Sequence, residues 1–434
     1  MRPIARFTLP LLFLLLVTGC ADQPTAPGVE LVTLDKKPPK PPPEPEPEPG
    51  EALEFISIET SLNPLAGAFS CGVTDTDIDG DGITDGVGPV YCWGVNSHMS
   101  LGLGGRKSRP KTEPTNPVAG GDLHFSEVHL GNQFACAIED PDGNGSGPIY
   151  CWGWNEYGQL GSVVTGDQSD PVRITSDPTD LKFFALDVGF WGGCALAGDG
   201  SGPGPMYCWP NSLTTLPEPV AGGVEFKALV HTGGAATCGI DAVDAAWCWG
   251  INSDGEVDLT VTEWDSEPQK VSGGHHFQAL AKAGDMTCGL TADGGPDSAG
   301  EILCWGSRWS GGELLWQSLV PTPLNLGDIA DDTFTALVNG FCALGSSGQA
   351  YCWGNNTFGA IGDGTASLSW NYWVDLPTPV EFPGTFSQIS DKQQHTCGIA
   401  KDDGFAYCWG HNDTGQLGNG TTRDSPIPVK VAGQ

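Results

Sequence analysis

The residues best suited to chemistry form one acidic run, Asp75-Thr-Asp-Ile-Asp-Gly-Asp-Gly-Ile-Thr-Asp85. Within it Asp77, Asp79, Asp81 and Asp85 alternate around a glycine bend that can turn their carboxylates toward one point. Such an oxygen set suits a hard cation taking about six to eight ligands, so structural Ca2+ is the expected cofactor. A merely solvated acidic turn is the alternative, since no glutamate stands where a bidentate ligand would close the loop. A poorer version follows at Asp140-Pro-Asp142-Gly-Asn144-Gly145. Catalysis has less to stand on. The histidines are scattered, and the adjacent pair His275-His276 would point to opposite faces of a strand. A Gly-x-Ser-x-Gly elbow, a phosphate-binding glycine loop and a His-Glu-x-x-His segment are all missing from the sequence. No catalytic residue and no organic cofactor is therefore expected.

Cysteine supplies the second kind of chemistry. Of fifteen cysteines, fourteen fall into local pairs: Cys71/Cys92, Cys136/Cys151, Cys194/Cys208, Cys238/Cys248, Cys288/Cys304, Cys342/Cys352 and Cys397/Cys408. Repetition of one pairing predicts disulfides in an oxidising compartment. A zinc site would need short Cys-x-x-Cys spacings, and none occur. Cys20 is left without a partner.

A third group is aromatic. Trp264, Trp309, Trp316, Trp370, Tyr372 and Trp373 lie outside any repeated position, in stretches read as loops. Such side chains anchor protein interfaces, or they are buried when long loops fold back on themselves. Unit six, with Ser369-Trp-Asn-Tyr-Trp373, is the leading candidate for partner binding.

The rest of the chain must position these groups. Tyr-Cys-Trp-Gly stands at Tyr91–Gly94, Tyr150–Gly153, Tyr351–Gly354 and Tyr407–Gly410, with variants at Tyr207–Pro210, Trp247–Gly250 and Leu303–Gly306. A motif returning at this period means a repeat architecture, one unit per copy. Each unit reads as an aromatic-led strand (Phe125, Phe226, Phe386), a turn, a strand through the first cysteine, a polar hairpin and the Tyr-Cys-Trp-Gly strand. A loop then ends in Pro-Val, as at Pro117-Val118, Pro171-Val172, Pro219-Val220 and Pro379-Val380. Alternation places the Tyr and Trp of the motif on one face and its cysteine on the other. The hairpins can bring paired cysteines opposite each other, within the roughly 5–6 Å Cα separation that a disulfide takes.

The N-terminus is different. Arg2 and Arg6 precede an apolar run from Phe7 to Val17, too short to span a bilayer comfortably. Val17-Thr-Gly-Cys20 resembles the lipobox of bacterial lipoproteins, which implies cleavage after residue 19 and lipidation of Cys20. Lys36 to Gly50 reads KKPPKPPPEPEPEPG, an extended polyproline tether. The expected domains are a signal peptide over 1–19, a lipidated tether over 20–50 and a repeat domain over 51–434. A formal net charge of −34 opposes binding to phosphate backbones and rules against nucleic acid as partner.

The full unit resembles the repeat of the regulator of chromosome condensation (RCC1-like) family. Unit seven carries the fullest version: His395-Thr-Cys397, Tyr407-Cys-Trp-Gly-His-Asn412, Gly415-Gln-Leu-Gly418 and Pro426-Ile-Pro-Val429. Trp-Gly-x-Asn recurs at Trp93–Asn96, Trp152–Asn155, Trp249–Asn252 and Trp353–Asn356. Gly-x-Leu-Gly recurs at Gly158–Gly161, with a near match at Gly359–Gly362. Pro210 and Arg308 break the pattern in units three and five. The resemblance implies an all-β, seven-bladed β-propeller with a cross-strand disulfide in each blade. The expected closure joins both chain ends in one blade, Pro428–Val431 beside Phe55–Ile58. The motif tryptophans are then inter-blade packing. Family members bind proteins through propeller faces, so the expected function is a non-catalytic protein-binding or inhibitor-like module. It would be a monomer anchored by lipid at the bacterial cell envelope, at the outer membrane, periplasm or surface. A carbohydrate-binding surface is the alternative, ahead of a hydrolase or a guanine-nucleotide exchange factor.

Overall fold

Each unit begins with a strand whose buried positions do not simply alternate. In Phe125–Leu130 the buried residues are Phe125, Val128 and Leu130, because the register shifts between Phe125 and Glu127. The same irregularity opens the first strand of all seven units. A bulge there bends the strand and aims the leading phenylalanine back into the packing. It also explains why aromatic-led strands in this sequence do not show a clean period of two.

The computed structural model describes residues 52–434 except 62–66, 78–82, 106–108, 175–180, 210–215, 232–235, 252–256, 258–263, 284, 311–312, 330–331, 368–371 and 393. The signal peptide, Cys20 and the tether lie outside the described residues. The strands group into seven antiparallel blades. Blade 1 has Phe55–Thr60, Phe69–Thr74 and Val90–Gly94, with bridges from Tyr91 to Pro117 and Gly94 to Lys111 in place of a fourth strand. Blade 2 comprises Phe125–Leu130, Phe134–Glu139, Ile149–Gly153 and Gln168–Arg173; blade 3, Phe183–Val188, Gly193–Ala197, Gly204–Trp209 and Glu218–Pro219. Blade 4 comprises Glu225–His231, Ala236–Asp241, Ala246–Ile251 and Trp264–Lys270; blade 5, Phe277–Ala283, Met286–Thr291, Ile302–Ser310 and Glu313–Pro323. Blade 6 comprises Phe334–Val338, Cys342–Gly345, Ala350–Asn355 and Trp373–Pro379; blade 7, Phe386–Asp391, His395–Ala400, Ala406–Gly410 and Ser425–Lys430. Every first strand touches the first strand of the next blade, including blade 7 to blade 1, so these strands form a closed inner ring. Blades 3 and 4 are further joined into one sheet by Gly204 pairing with Phe226.

All seven expected disulfides are present: Cys71–Cys92, Cys136–Cys151, Cys194–Cys208, Cys238–Cys248, Cys288–Cys304, Cys342–Cys352 and Cys397–Cys408. Two expectations about them need correction. The paired Cα atoms lie 4.0–4.1 Å apart, closer than the expected separation, because each pair occupies the narrow position of an antiparallel ladder. The second cysteine of a pair also does not border a loop. Cys208, Cys304 and Cys352 are flanked on their other side by Glu218, Thr322 and Thr378. The stretch before Pro-Val, read from sequence as a loop, is thus a fourth strand in these blades. Cys208 differs again in being only partly buried, where Cys304 and Cys352 are buried. Its fourth strand is two residues long, Glu218–Pro219, and covers it less.

The alternation of the motif sets what each bridge faces. Cys71 and Cys92 pack with Trp152 of blade 2, Cys136 and Cys151 with Trp209 of blade 3, and Cys397 and Cys408 with Trp93 of blade 1. The rule continues with Cys194 and Cys208 on Trp249 and with Cys238 and Cys248 on Trp305. Cys288 and Cys304 meet Trp353, and Cys342 and Cys352 meet Trp409. Each interface is a disulfide of one blade facing the tryptophan of the next.

The polar half of the motif builds the receiving surface. Asn412 Oδ1 accepts from Leu417 N at 3.0 Å, folding the Gly-x-Leu-Gly loop so that Leu417 is fully buried. Gly418, at φ 66°, then lies against the Trp93 ring, where an added Cβ would approach Nε1 to 2.6 Å. Trp93 Nε1 donates to Gln416 O at 2.9 Å. Trp152 meets Gly102 and Ser100 O, Trp209 meets Gly161 and Gln159 O, and Trp409 meets Gly362 and Ala360 O in the same way. The ring therefore closes by this ordinary inter-blade latch, and the expected sharing of one blade is wrong. Ser425–Lys430 pairs only with its own blade, and Phe55–Thr60 pairs with Phe69–Thr74. The ends meet through Leu53 N donating to Gly433 O at 3.0 Å and through the shared core of Phe55, Ile58 and Val431.

Gly418→Val, which puts a branched side chain into a positive-φ position against Trp93, is expected to cost about 2–4 kcal/mol in urea unfolding with the disulfides intact. Gly202→Ala, with open space around it, is the control and should change stability by less than about 0.5 kcal/mol. Equal effects would remove the latch as the closing device.

Candidate functional site

The inner strands end in charged residues that no single repeat reveals. Lys392, just past the inner strand of blade 7, is 4% exposed. Its Nζ lies 2.6 Å from Glu59 Oε1 of blade 1 and 3.9 Å from Asp187 Oδ1 of blade 3. It also donates to Leu130 O of blade 2 at 3.1 Å. Asp187 is shared further: His231 N of blade 4 donates to its Oδ2 at 2.8 Å, and His129 Nδ1 of blade 2 lies 3.8 Å from Oδ1. One ammonium and one carboxylate thus tie five blades together across the axis.

Burial would destabilise any of these charges alone, and their partners decide the outcome. Burial lowers the basicity of His129, but Glu127, Asp187 and Glu59 outweigh it and raise its pKa to about 10. Burial would raise Asp187, yet His129 and Lys392 hold it below the ordinary carboxylate value. Lys392 is likewise raised, burial being overcome by Glu59 and Asp187. Burial takes His231 down to about 4, against the pull of Asp187 and with the push of Lys282 and Lys392. His129 is therefore a fixed imidazolium at neutral pH and His231 a neutral ring. Glu59 and Asp187 are shared among Lys392, His129 and His231 N, while the His231 ring meets Thr237 Oγ1 at 2.8 Å, so the cluster is suited to holding blades.

Of the sequence-predicted site residues, Asp79, Asp81 and Trp370 lie outside the described residues. Asp77 and Asp85 are placed at the two ends of the acidic run, held together by Asp85 N donating to Thr76 O and Gly86 N donating to Asp75 Oδ1. Among the described residues no group of three or more His, Cys, Asp or Glu side chains gathers as a metal site. Of the remaining aromatics, Tyr372 directly precedes a strand and Trp309 lies near the end of the third strand of blade 5. Trp264, Trp316 and Trp373 belong to the outer strands of blades 4, 5 and 6, which extend further than turn signals suggested. Trp316 and Trp373 are half-buried against the core holding Phe341, Tyr351 and Trp353. The Arg308 guanidinium sits 4.6 Å from the Trp373 ring and 2.5 Å from Asp375, fastening the blade 5 hairpin to blade 6. Tyr372 is exposed, and Leu314, Leu315, Leu319 and Val320 of blade 5 and Leu376 of blade 6 are each 38–49% exposed.

An aromatic platform on blades 1 to 3 escaped the sequence reading. Trp154 lies 5.3 Å from His98, 5.6 Å from Tyr157 and 5.8 Å from Trp191, which in turn contacts Phe190 at 5.3 Å. His98 is oriented by Asp167 at 2.9 Å. The available signal was columnar: Phe190-Trp191 occupies the turn where unit two has Asn132-Gln133.

The pKa shifts set a pH optimum. At pH 8 the folded chain holds a proton on His129 that the unfolded chain, with an ordinary 6.5, has released. Its contribution is full below 6.5 and declines as pH rises toward about 10. His231 acts oppositely: its contribution is present above 6.5 and is lost as pH falls toward about 4. Stability from this pair should peak near pH 6.5, read as urea midpoint against pH. His129→Gln should flatten the alkaline limb relative to the parent; an unchanged limb would disprove the imidazolium assignment.

The regulator of chromosome condensation (RCC1) repeat family matches residues 88–138, 146–189, 347–399 and 403–434. The unmatched stretch between 189 and 347 contains the units with the altered latch. Ultraviolet-B receptor UVR8 of Arabidopsis thaliana is 23% identical over 352 residues, 79% of this chain and 66% of the receptor. E3 ubiquitin-protein ligase HERC2 of Homo sapiens is 26% identical over 381 residues, 80% of this chain but 7% of the ligase. The chain thus spans less than two thirds of either relative. Among solved structures, Prp20p from Saccharomyces cerevisiae superposes with a TM-score of 0.61 at 19% identity, covering 79% of this chain and 85% of that one. With its repeats, its seven-bladed ring and its inter-blade latch, the chain is similar to the RCC1-like family, whose repeat it carries in these four stretches.

Proposed function

We propose that this chain is a non-catalytic protein-binding module of a bacterial cell envelope, and that the outer strands of blades 5 and 6 are its partner surface. The observation that carries this is the number of exposed apolar side chains, Leu314, Leu315, Leu319 and Val320 on the outer strand of blade 5 and Tyr372 and Leu376 on blade 6, two blades that Arg308 ties together. Exposed apolar side chains in such number are costly to leave in water and are characteristic of interfaces. The same fold carries protein binding elsewhere: Prp20p is described with binding properties toward Gsp1p and histones. Export is supported by the basic and apolar N-terminal run and by seven disulfides, which persist in oxidising compartments. In this reading lipid on Cys20 supplies the anchor and the proline-rich stretch the stalk.

Carbohydrate binding is the second reading, favoured by the Trp154–Tyr157–Trp191 platform, whose rings could stack on sugars. Affinity capture from envelope extract, using residues 51–434 as bait, separates the two. A protein retained by the parent and lost with Leu315→Arg plus Leu319→Arg is the expected result. Equal retention by both would sink the blade 5–6 surface. Glycan binding abolished by Trp191→Ala, with no protein retained, would replace the reading with the second.

Calcium in the Asp77, Asp79, Asp81 and Asp85 loop is proposed as a local stiffener. Millimolar Ca2+ against chelator should raise Tm by about 2–4 °C. Asp79→Asn with Asp81→Asn should erase that difference, and an absent shift in the parent would reject the site.

A further inference from the structure

A cavity of about 760 Å³ opens between blades 6 and 7, lined by Val380, Phe382, Tyr407, Ile427 and Pro428 with Glu381, Asp402 and Asp403 among its walls. It sits beyond the Ala400 end of a strand whose other end leads to the axial cluster. Its floor is rigid. Phe382 stacks on Phe386 at 4.5 Å and meets Tyr407 edge-on at 4.8 Å. Asp403 is fixed by two donors, Tyr407 OH at 2.8 Å and Phe405 N at 3.0 Å. Burial and the neighbouring Asp403 raise the Tyr407 phenol, keeping it a donor.

The charges on this cavity are one-sided. Among the described residues no ion pair joins Glu381, Asp402 or Asp403 to a cation. The nearest basic residues do not serve: Lys401 forms no such pair, and Lys430 Nζ is placed 3.1 Å from the centroid of the Phe405 ring. Acidic residues alone would be a solvated surface. Here they border an aromatic-walled groove, and aromatic faces add attraction for a cation whose stem packs against them. The volume falls in the range of about 300–1,000 Å³ typical of ligand sites and exceeds what one side chain fills. Net charge of −34 opposes a second copy of this chain as occupant.

From this complementarity we infer that the groove between blades 6 and 7 binds an extended protein segment presenting a lysine or arginine side chain. The basic head lies between Glu381, Asp402 and Asp403, and its stem lies on Phe382 and Tyr407. This rests on the reading of the chain as a protein-binding module and names the chemistry of a partner at a second surface.

The test uses the full chain in mild detergent and fluorescein-labelled peptides Gly-Pro-Val-Lys-Val-Pro-Gly, followed by anisotropy. Peptides with norleucine or glutamate at the central position are compared. The lysine peptide is expected to bind at least about tenfold more tightly than the norleucine one, with the preference shrinking at high salt. Glu381→Gln with Asp402→Asn, whose carboxylates hold no hydrogen bond that would threaten folding, should abolish the preference. Equal binding of lysine and norleucine peptides, or no binding of any, overturns the inference. Spermidine binding more tightly than the lysine peptide also overturns it, reassigning the groove to a free polyamine. Each of these outcomes leaves the blade 5–6 capture result standing, so the two readings fail separately.

Discussion

The contact between a motif tryptophan and the blade before it governs this structure. A small antiparallel sheet has two apolar faces and cannot bury them alone. Here one face carries a disulfide and the other a tyrosine–tryptophan pair, so face-to-face stacking of identical units makes a disulfide–tryptophan core at every junction. The indole also needs an acceptor when buried. The loop folded by Asn412 supplies one at Gln416 O, and Gly418 leaves room for the ring. Packing and polar satisfaction are met by one element, which explains why Trp-Gly-x-Asn and Gly-x-Leu-Gly occur together in sequence.

That latch accounts for the closure as well. A propeller closed by strand exchange depends on the two termini finding each other in one sheet. In this chain the last junction has the same chemistry as three others, with Trp93 on Gly418 as Trp152 is on Gly102, Trp209 on Gly161 and Trp409 on Gly362. What distinguishes the axis is charge. Lys392 and Asp187 bridge blades that do not otherwise touch, in a chain so acidic that a buried cation has many competing carboxylates. Their near balance of charge inside the ring confines the excess of negative charge to the outside, where solvent screens it.

Much of this was legible because it is local. Cysteine pairs 10 to 21 residues apart, a recurring aromatic strand and the tryptophan positions all report on one hairpin, and each recurs often enough to exclude chance. The latch was half legible. Met99-Ser-Leu-Gly102 performs it in blade 1 with Met99 at φ 62°, so a search for Gly-x-Leu-Gly passes over it. The mode of closure was misread because both solutions need the same residues near both termini. Glu59, His129, Asp187 and Lys392 stayed invisible for a different reason. Each is alone within its repeat, and only ring geometry brings Lys392 to Leu130, 262 residues away. The fourth strands beside Cys304 and Cys352, with their tryptophans, were taken for loops because a strand at the edge of a blade, wet on one side, has little hydrophobic period to show.

The departures from the repeat are not scattered. Blades 1, 2, 6 and 7 carry the glycine latch, and the family match breaks off between 189 and 347. In that arc the chain places its continuous two-blade sheet and its longest strand, Glu313–Pro323, with exposed leucines. The latch constrains the loop that follows each Trp-Gly. In blade 5, where the final glycine is missing, the chain instead runs on into the long paired strands Ile302–Ser310 and Glu313–Pro323. The disulfide and the tryptophan still hold those blades together, since Trp305 is fully buried against Cys238 and Cys248. Redundant fastening at each junction thus lets one fastener be given up, as in blade 5, whose outer strand carries Leu314, Leu315, Leu319 and Val320 into solvent.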